Sequence, residues 1–292
     1  MPPKFNAYLQ LARISNLPTV FSNVLVGAAL VPWYPPFPWA DAGIAMLSVA
    51  LLYIGGMALN DVLDRRIDAV ERPQRPIPRG ALSVWEATLF TLLCFGIGIL
   101  AVAIFAPTAT YPAIALLGAI LCYDVLHKRW AGAVLFMGLC RALVYLVAAE
   151  AVTVERAPVY IVGVVFFGAL LALYIILLTI VARKEAVGVL GFRKWISIAI
   201  VFLPFAPLLL KRGFHLDWSV PILLILTLWL IRSARLIWQS PPKVVPAVLG
   251  WLAGISLMDA FFLTFTPFPW LSLAALACFA VTVWGHRRIA GT

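Results

Sequence analysis

Residues 41–68 read DAGIAMLSVALLYIGGMALNDVLDRRID, a largely apolar stretch that runs directly into a cluster of charges. The apolar part, residues 41–60, has the length of about twenty residues that an α-helix needs to cross a bilayer. The charged end holds Asp61, Asp64 and Asp68, which are three of the 12 acidic residues in the chain. On a helix this spacing brings all three carboxylates to one face.

Three carboxylates on one face repel one another unless a cation lies among them. Their oxygens suit a hard divalent ion, and proteins usually bind Mg²⁺ through one or two carboxylates together with phosphate oxygens of a substrate. The spacing therefore predicts a Mg²⁺ and diphosphate site at a membrane surface, with Asp61, Asp64 and Asp68 as metal ligands. The alternative is a solvated acidic helix end, which the following Arg65 and Arg66 neutralise.

The composition of the chain indicates a membrane protein. Hydrophobic residues make up 64% of the 292 positions and charged residues only 12%, whereas soluble domains contain about 25% charged residues. Apolar runs of near-membrane length recur throughout and are continuous rather than alternating, which favours helices over a β-barrel. We predict an all-α fold, a polytopic transmembrane helical bundle. It forms a single integral-membrane domain over residues 1–292, with two pseudo-halves at about 1–130 and 131–292.

Ten stretches are predicted to cross the membrane. They lie at about residues 14–31, 41–60, 84–106, 110–126, 131–150, 157–181, 194–210, 217–234, 245–266 and 269–286. We interpret the first as a retained span, because a proline- and aromatic-rich turn follows it instead of a small-residue cleavage pattern.

The distribution of basic residues predicts the orientation of the bundle. With the N-terminus inside, 18 of the 22 lysines and arginines lie in inside segments, three lie outside and Arg141 lies within a span. This bias follows the positive-inside rule, and it places the N-terminus and the aspartates on the cytoplasmic side of a bacterial-type cell membrane. It also accounts for the net charge of +10 without nucleic acid as a partner. The four cysteines lack the paired spacing of a metal site.

Two basic segments on the inside are candidates for binding diphosphate. Residues 72–80, RPQRPIPRG, contain three prolines that end the helix and stiffen a loop, in which Arg72 and Arg75 are predicted to bind phosphate oxygens. Between the fourth and fifth spans, Tyr123 and Lys128 are predicted to contact a phosphate as well. The alternative for the arginines is the positive-inside rule alone, and for Tyr123 and Lys128 it is a role as interfacial anchors.

Two ionisable residues lie within predicted spans. Arg141 is well inside the fifth span, where burying an arginine costs several kcal/mol unless it faces a polar cavity or a partner. We predict that it binds an anion, the diphosphate, in a central cavity, and the alternative is a structural ion pair. Asp259 in the ninth span has the same two alternatives, a role in a cavity or a structural role. The case for a cavity is weaker there, because Ser256 or a neighbouring helix is available to hydrogen-bond its carboxylate.

The pattern Asn60-Asp61-x-x-Asp64-x-x-x-Asp68 resembles the first motif of the UbiA superfamily of intramembrane prenyltransferases, with all four positions kept. Two further elements are similar to that family, namely the arginine- and proline-rich loop and the tyrosine and lysine that follow the fourth span. The multi-span layout agrees over most of the chain, although nine spans are usual in the family.

The resemblance implies a Mg²⁺-dependent enzyme in membrane lipid, which moves an isoprenyl group from a prenyl diphosphate to a small acceptor, aromatic or lipid-like. Asp61, Asp64 and Asp68 then hold the metal. Asn60, Asp64 and Asp68 are the predicted catalytic residues, with Asn60 orienting the cluster and Asp68 alternatively acting as a base or cation stabiliser towards the acceptor. The acceptor, the prenyl chain length and the oligomeric state stay open.

The chain departs from the family after the sixth span. A second aspartate-rich motif is usual there, whereas this chain has Ala182-Arg183-Lys184-Glu185-Ala186. Glu185 is the remaining candidate metal ligand, and Arg183 and Lys184 are predicted to bind diphosphate in place of a second Mg²⁺. The departure is typical of a divergent branch, for which we take the EboC type as the candidate, and it leaves open a member with lost or altered transferase activity.

Two other classes of function are alternatives. A transporter or lipid-handling protein would use its inside aspartates to sense a cation, with Arg141 and Asp259 lining a path. A CDP-alcohol phosphotransferase also clusters aspartates, but its longer motif begins with Asp-Gly and contains an Ala-Arg pair, and no such residues precede Asp61.

Overall fold

The protein is a bundle of α-helices, in a computed structural model that describes residues 4–31, 36–153, 159–183, 191–210 and 218–288. Within these ranges there is no β-strand, so the predicted all-α class is confirmed. The helices are α1 (Lys4–Leu11), α2 (Leu17–Ala29), α3 (Trp39–Glu71), α4 (Val84–Phe105), α5 (Thr110–Leu126), α6 (Val134–Val152), α7 (Val159–Ala182), α8 (Ile196–Phe202), α9 (Ser219–Ile237), α10 (Val244–Leu263) and α11 (Ser272–Arg288).

The helices match the predicted membrane spans in position. Eight described helices are long and apolar enough to cross a bilayer. Two shorter apolar segments, Ile14–Ala29 and Ile196–Leu209, lie where the first and seventh spans are predicted. The protein is therefore an integral, multi-pass membrane protein.

Helix α3 extends well past the predicted span. Its 33 residues correspond to about 50 Å at 1.5 Å per residue, while the hydrocarbon core is about 30 Å thick. The predicted span ended at residue 60, whereas the helix continues through the aspartates to Glu71. It ends there because Pro73 disfavours a helical conformation at Arg72, which has φ −142° and ψ 60°. The aspartates therefore lie on a helix that projects from the apolar region.

A small apolar cluster fixes the loop after α3 against the helix that carries the aspartates. It contains Ala7 and Leu11 of α1, Ala58 and Val62 of α3, and Ile77 of the loop. The loop ends in a turn at a glycine with φ +73°, a conformation that glycine adopts without steric cost. These contacts hold the arginine-containing loop over the end of α3.

Helices α2 and α10 lie at the centre of the bundle. Helix α10 is buried over nearly its whole length, and α2 contacts α3, α6, α10 and α11. The approach of α2 to α6 is close, because a Cβ added at Gly27 would lie 2.4 Å from the carbonyl oxygen of Tyr145. Small residues at helix interfaces permit such close packing in membranes.

Candidate active site

Two carboxylates of α3 converge on one guanidinium nitrogen. Nη1 of Arg75 donates to Oδ1 of Asp61 at 3.0 Å and to Oδ2 of Asp68 at 2.6 Å. All three side chains are buried, with exposed side-chain fractions of 8% or less. The loop after α3 therefore places a positive charge between Asp61 and Asp68. These two carboxylates lie close together, as their spacing on one face of the helix predicts.

Arg13 is a site residue that the sequence reading missed. It lies between α1 and the turn before α2 in the left-handed conformation, with φ 44° and ψ 49°. Its Nη2 donates to Oδ1 of Asp61 at 3.1 Å and to Oδ1 of Asn60 at 3.4 Å. In the sequence it was one of the many inside basic residues, so no local signal distinguished it from the positive-inside bias.

Asp64 has different partners, which come from the segment after α5. Its Oδ2 lies 3.1 Å from Nε2 of His127 and 3.7 Å from Nζ of Lys128. Burial lowers the pKa of His127, but the hydrogen bond and the charge of Asp64 outweigh burial and leave the pKa above its ordinary value. The ring of Tyr123 stacks on His127 with 5.2 Å between centroids. His127 is thus a second residue that the sequence reading did not single out.

Asn60 connects the aspartate cluster (Asp61, Asp64 and Asp68) to α5. Its Nδ2 donates to Oδ1 of Asp124 at 3.2 Å. Asp124 is 4% exposed, and its Oδ2 has no hydrogen-bond partner among the described residues.

Arg183, one of the three residues predicted to act after the sixth span, contacts the loop between α5 and α6. Arg183 donates to the backbone carbonyl oxygens of His127, Trp130 and Ala131, so it fixes the loop that carries Lys128. Lys184 and Glu185 lie outside the described residues. Arg72 ends α3 through a backbone hydrogen bond from its N–H to the carbonyl oxygen of Asp68.

Two concave regions lie close to the aspartate cluster. The first, which we call the polar cleft, contains about 520 Å³ of empty space, open solvent included. It is lined by Gln10, Arg13, Asp61, Gln74, Arg75, Pro76 and Arg79. The second, which we call the apolar cavity, contains about 560 Å³ of empty space, open solvent included. It is lined by Val20, Val49, Tyr53, Gly56, Met57, Leu116, Ile120, Tyr123, Asp124, Met137, Cys140, Arg141 and Val144.

Arg141 faces the apolar cavity and is anchored to a buried polar network. Its Nη1 donates to Oδ1 of Asn23 at 2.8 Å, and Nδ2 of Asn23 donates to Oδ2 of Asp259 at 2.8 Å. Asp259 is fully buried and also accepts hydrogen bonds from Ser22 and Tyr145, each at 2.5 Å. Arg141 thus reaches Asp259 through an amide, and the network joins α2, α6 and α10.

Comparison with known proteins identifies the family. The model of the UbiA prenyltransferase family matches residues 20–249, most of the chain. The chain belongs to the UbiA prenyltransferase family. The resemblance found in the first motif is thereby confirmed.

Similar UbiA-family proteins include curated archaeal digeranylgeranylglyceryl phosphate synthases. The protein of Methanosarcina mazei is 35% identical over 111 residues, which are 34% of this chain and 38% of that protein. The protein of Ignicoccus hospitalis is 38% identical over 121 residues, which are 41% of this chain and 38% of that protein. The aligned segments therefore span little more than a third of the length of these relatives.

A solved structure shows the same fold. The apo structure of a UbiA homolog from Aeropyrum pernix K1 matches with a TM-score of 0.67 and 18% identity. The match covers 87% of this chain and 97% of the homolog.

The donor set of the aspartate cluster fits Mg²⁺ with two protein carboxylates. Among the described residues, no three histidine, cysteine, aspartate or glutamate side chains form a group that could hold a metal ion. Asp61 and Asp68 nevertheless direct one oxygen each at a single cationic atom of Arg75. Mg²⁺ is commonly held by one or two carboxylates, with substrate phosphates and water completing its coordination. The arginine thus marks a point where the residues present suit a divalent cation.

Proposed function

We propose that this UbiA-family protein is a Mg²⁺-dependent intramembrane prenyltransferase, which moves an isoprenyl group from a prenyl diphosphate to a small acceptor. The observation that carries the proposal is that side chains at the polar cleft contact residues that line the apolar cavity. Asn60 bonds to Asp124 of the cavity wall, and Arg13 contacts both Asp61 and Met57, which lines the cavity. We place the diphosphate in the cleft and its apolar tail in the neighbouring cavity.

The residues of the cleft stabilise the departing diphosphate. Asp61 and Asp68 would hold Mg²⁺, together with Asp64, and the bound ion would supply positive charge to the phosphate oxygens. Arg13 and Arg75 add fixed positive charge on one side of the aspartate cluster. Charge that develops on a leaving group is where such preorganised charges stabilise a transition state most.

Lys128 supplies positive charge on the other side of the aspartate cluster, where Lys128 and His127 both contact Asp64. Tyr123 stacks on His127 and lines the apolar cavity, so it stands at the boundary between leaving group and tail. Arg183 positions this segment through its backbone carbonyl oxygens. We assign these residues to diphosphate binding, directly for Lys128 and indirectly for Arg183.

The apolar cavity protects the reactive isoprenyl group. When the bond between the allylic carbon and the diphosphate oxygen breaks, the carbon becomes electron-deficient and reacts with any nearby nucleophile. The apolar side chains of the cavity exclude water, so the acceptor is the nucleophile that remains. The acceptor forms the new bond and loses a proton, while diphosphate leaves through the cleft.

The lipid-like class of acceptor is supported by the similar archaeal proteins, whose name describes a digeranylgeranylglyceryl phosphate product. An aromatic acceptor suits the same cavity. The positive-inside bias supports an aspartate cluster and an N-terminus that face the cytoplasm.

The proposal is tested with Asp64→Ala in purified protein, a labelled prenyl diphosphate and a panel of aromatic and lipid-like acceptors. Asp41→Ala is the matched control, because Asp41 lies in the first turn of the same helix, far from the cluster. We expect Mg²⁺-dependent transfer by the wild type and by Asp41→Ala, and its loss in Asp64→Ala and after chelation. Retained transfer by Asp64→Ala would exclude the metal role of Asp64.

Absence of transfer by the wild type to every acceptor would contradict the enzymatic function. Metal-independent movement of a prenyl lipid across vesicles, measured with the same protein, would then favour transport.

A further inference from the structure

The apolar cavity contains two polar groups that the chemistry at the aspartate cluster leaves unused. Arg141 and Asp124 both line its wall, among side chains such as Val49, Leu116 and Met137. Neither residue lines the polar cleft, where the diphosphate is proposed to bind. The diphosphate role that the sequence predicts for Arg141 therefore has less support than a role inside the cavity.

Asp124 lines the cavity and has a buried carboxylate oxygen without a hydrogen-bond partner among the described residues. Its Oδ1 accepts a hydrogen bond from Asn60, whereas its Oδ2 has no partner within the described part of the chain. Asp124 is 4% exposed, so little solvent compensates that oxygen. A buried acceptor without a partner is costly, and a ligand hydroxyl that donates to it would remove the cost.

Arg141 presents a positive charge to the same cavity. A guanidinium has five N–H donors, and within the described residues Arg141 donates through Nη1 to Oδ1 of Asn23. A purely structural cation would pair best with Asp259 directly, but Asn23 stands between them. Asp259 takes its other hydrogen bonds from Ser22 and Tyr145. The network thus holds the guanidinium in place and leaves donors for an anion.

We propose that Arg141 and Asp124 form the acceptor subsite of this enzyme. The acceptor carries an acidic group, carboxylate or phosphate, which the guanidinium fork binds, and a hydroxyl that donates to Oδ2 of Asp124. The apolar wall of the cavity binds its ring or chain. This inference rests on the proposed function, because an acceptor is required only if an isoprenyl group is transferred.

Direct binding to purified protein tests the subsite with probes that differ in charge alone. The aromatic pair is 4-hydroxyphenylacetate and its neutral amide, and the lipid pair is 1-O-dodecylglycerol 3-phosphate and 1-O-dodecylglycerol. We expect the wild type to prefer the charged member of one pair, and that pair identifies the acceptor as aromatic or lipid-like. Arg141→Met should weaken binding of that charged probe by about ten-fold to a hundred-fold and leave binding of the neutral probe unchanged. The affinity of Arg141→Lys for the charged probe should lie between those of the wild type and Arg141→Met.

Removal of the probe hydroxyl tests Asp124. For an aromatic acceptor, 4-methoxyphenylacetate should bind the wild type more weakly than 4-hydroxyphenylacetate. For a lipid-like acceptor, 1-O-dodecylglycerol 3-phosphate is compared with the same compound in which the free glycerol hydroxyl is methylated. Asp124→Leu should abolish this difference. If Asp124→Leu still binds the hydroxyl probe more tightly than the methylated probe by the same factor as the wild type, Asp124 does not belong to the subsite.

Tyr145→Phe serves as the control for packing, because it disturbs the network and retains Arg141. If Arg141→Met binds both members of each pair as the wild type does, the proposed subsite is wrong. The same holds if Arg141→Met weakens binding of the charged and the neutral member equally, as a packing defect such as that of Tyr145→Phe would. Mg²⁺-dependent binding of the prenyl diphosphate should be unchanged in Arg141→Met. Binding of a charged probe that depends on Arg141, without any transfer, would uphold the subsite and contradict only the proposed reaction. Transfer with an unchanged acceptor KM in Arg141→Met would contradict only the subsite.

Discussion

Asp61 has the most heavily shared carboxylate in the site, because Oδ1 accepts hydrogen bonds from both Arg13 and Arg75. Its side chain is 5% exposed, so the three groups depend on one another for charge compensation. Removing one partner from such a buried arrangement leaves the others uncompensated, which costs more than the loss of a surface ion pair.

We therefore expect Asp61→Asn to lower kcat/KM for the prenyl diphosphate by at least about a hundred-fold, the usual cost of removing one preorganised electrostatic group. Asp41→Asn makes the same chemical change in the same helix and should stay within about two-fold of the wild type. Steady-state kinetics at saturating Mg²⁺ measures both. Comparable activity in the two variants would show that the charge of Asp61 is dispensable.

A second prediction at this scale concerns Tyr145, which donates to the fully buried Asp259. Tyr145→Phe removes the donor and leaves a carboxylate oxygen unsatisfied, so the free energy of unfolding should fall by about 1–3 kcal/mol. Tyr111→Phe is the control, because Tyr111 is 83% exposed. Thermal unfolding in detergent compares them, and equal melting temperatures would mean that the hydroxyl contributes nothing to stability.

At the scale of elements, the close contact between α2 and α6 depends on Gly27, which has no side chain. Helix α2 supplies Asn23 to the network and α6 supplies Arg141, so their spacing sets the geometry of the cavity wall. The backbone of α6 lies so close to Gly27 that a Cβ has no room.

Gly27→Ala should lower the free energy of unfolding by about 1–3 kcal/mol, because α2 and α6 must separate to admit the methyl group. Gly118→Ala makes the same change within helix α5, where a Cβ meets nothing within 4 Å. That control should keep or raise stability, by up to about 1 kcal/mol from helix propensity. Thermal unfolding of both variants gives the comparison. A Gly27→Ala protein as stable as the control would show that the interface yields without cost.

At the scale of the whole molecule, the two ends of the described chain lie at the same face. Nε2 of His286 in α11 lies 2.6 Å from Oδ1 of Asn16, which precedes α2 and is close to Arg13 in the chain. The C-terminal end of α11 therefore lies at the same end of the bundle as Arg13, which contacts Asp61. An even number of crossings places both ends of the chain on one side of a membrane.

A fluorescent reporter that matures only in the cytoplasm, fused after residue 292 and expressed in a bacterium, should therefore fluoresce. The positive-inside bias gives the side, and the contact of His286 with Asn16 gives the parity. The same reporter fused before residue 1 should fluoresce as well. A bright N-terminal fusion with a dark C-terminal one, both inserted in the membrane, would indicate an odd number of spans.

The sequence by itself determined the helical membrane class, the position of nearly every span and the common face of Asp61, Asp64 and Asp68. Hydropathy and helical spacing are local properties, so a single stretch of chain is enough to read them. The end of α3 was predicted less well, because a charged helix that leaves the bilayer carries no apolar signal for its length.

Only the tertiary structure decided which side chains meet. Arg13, His127 and Asp124 reach the motif from other parts of the chain, across separations of 47 to 64 residues. Their contacts depend on how the helices cross and rotate, which no local pattern encodes. The same packing divides one row of aspartates between two groups of basic residues. It also separates Arg141 from the polar cleft, because each helix presents its faces to different neighbours.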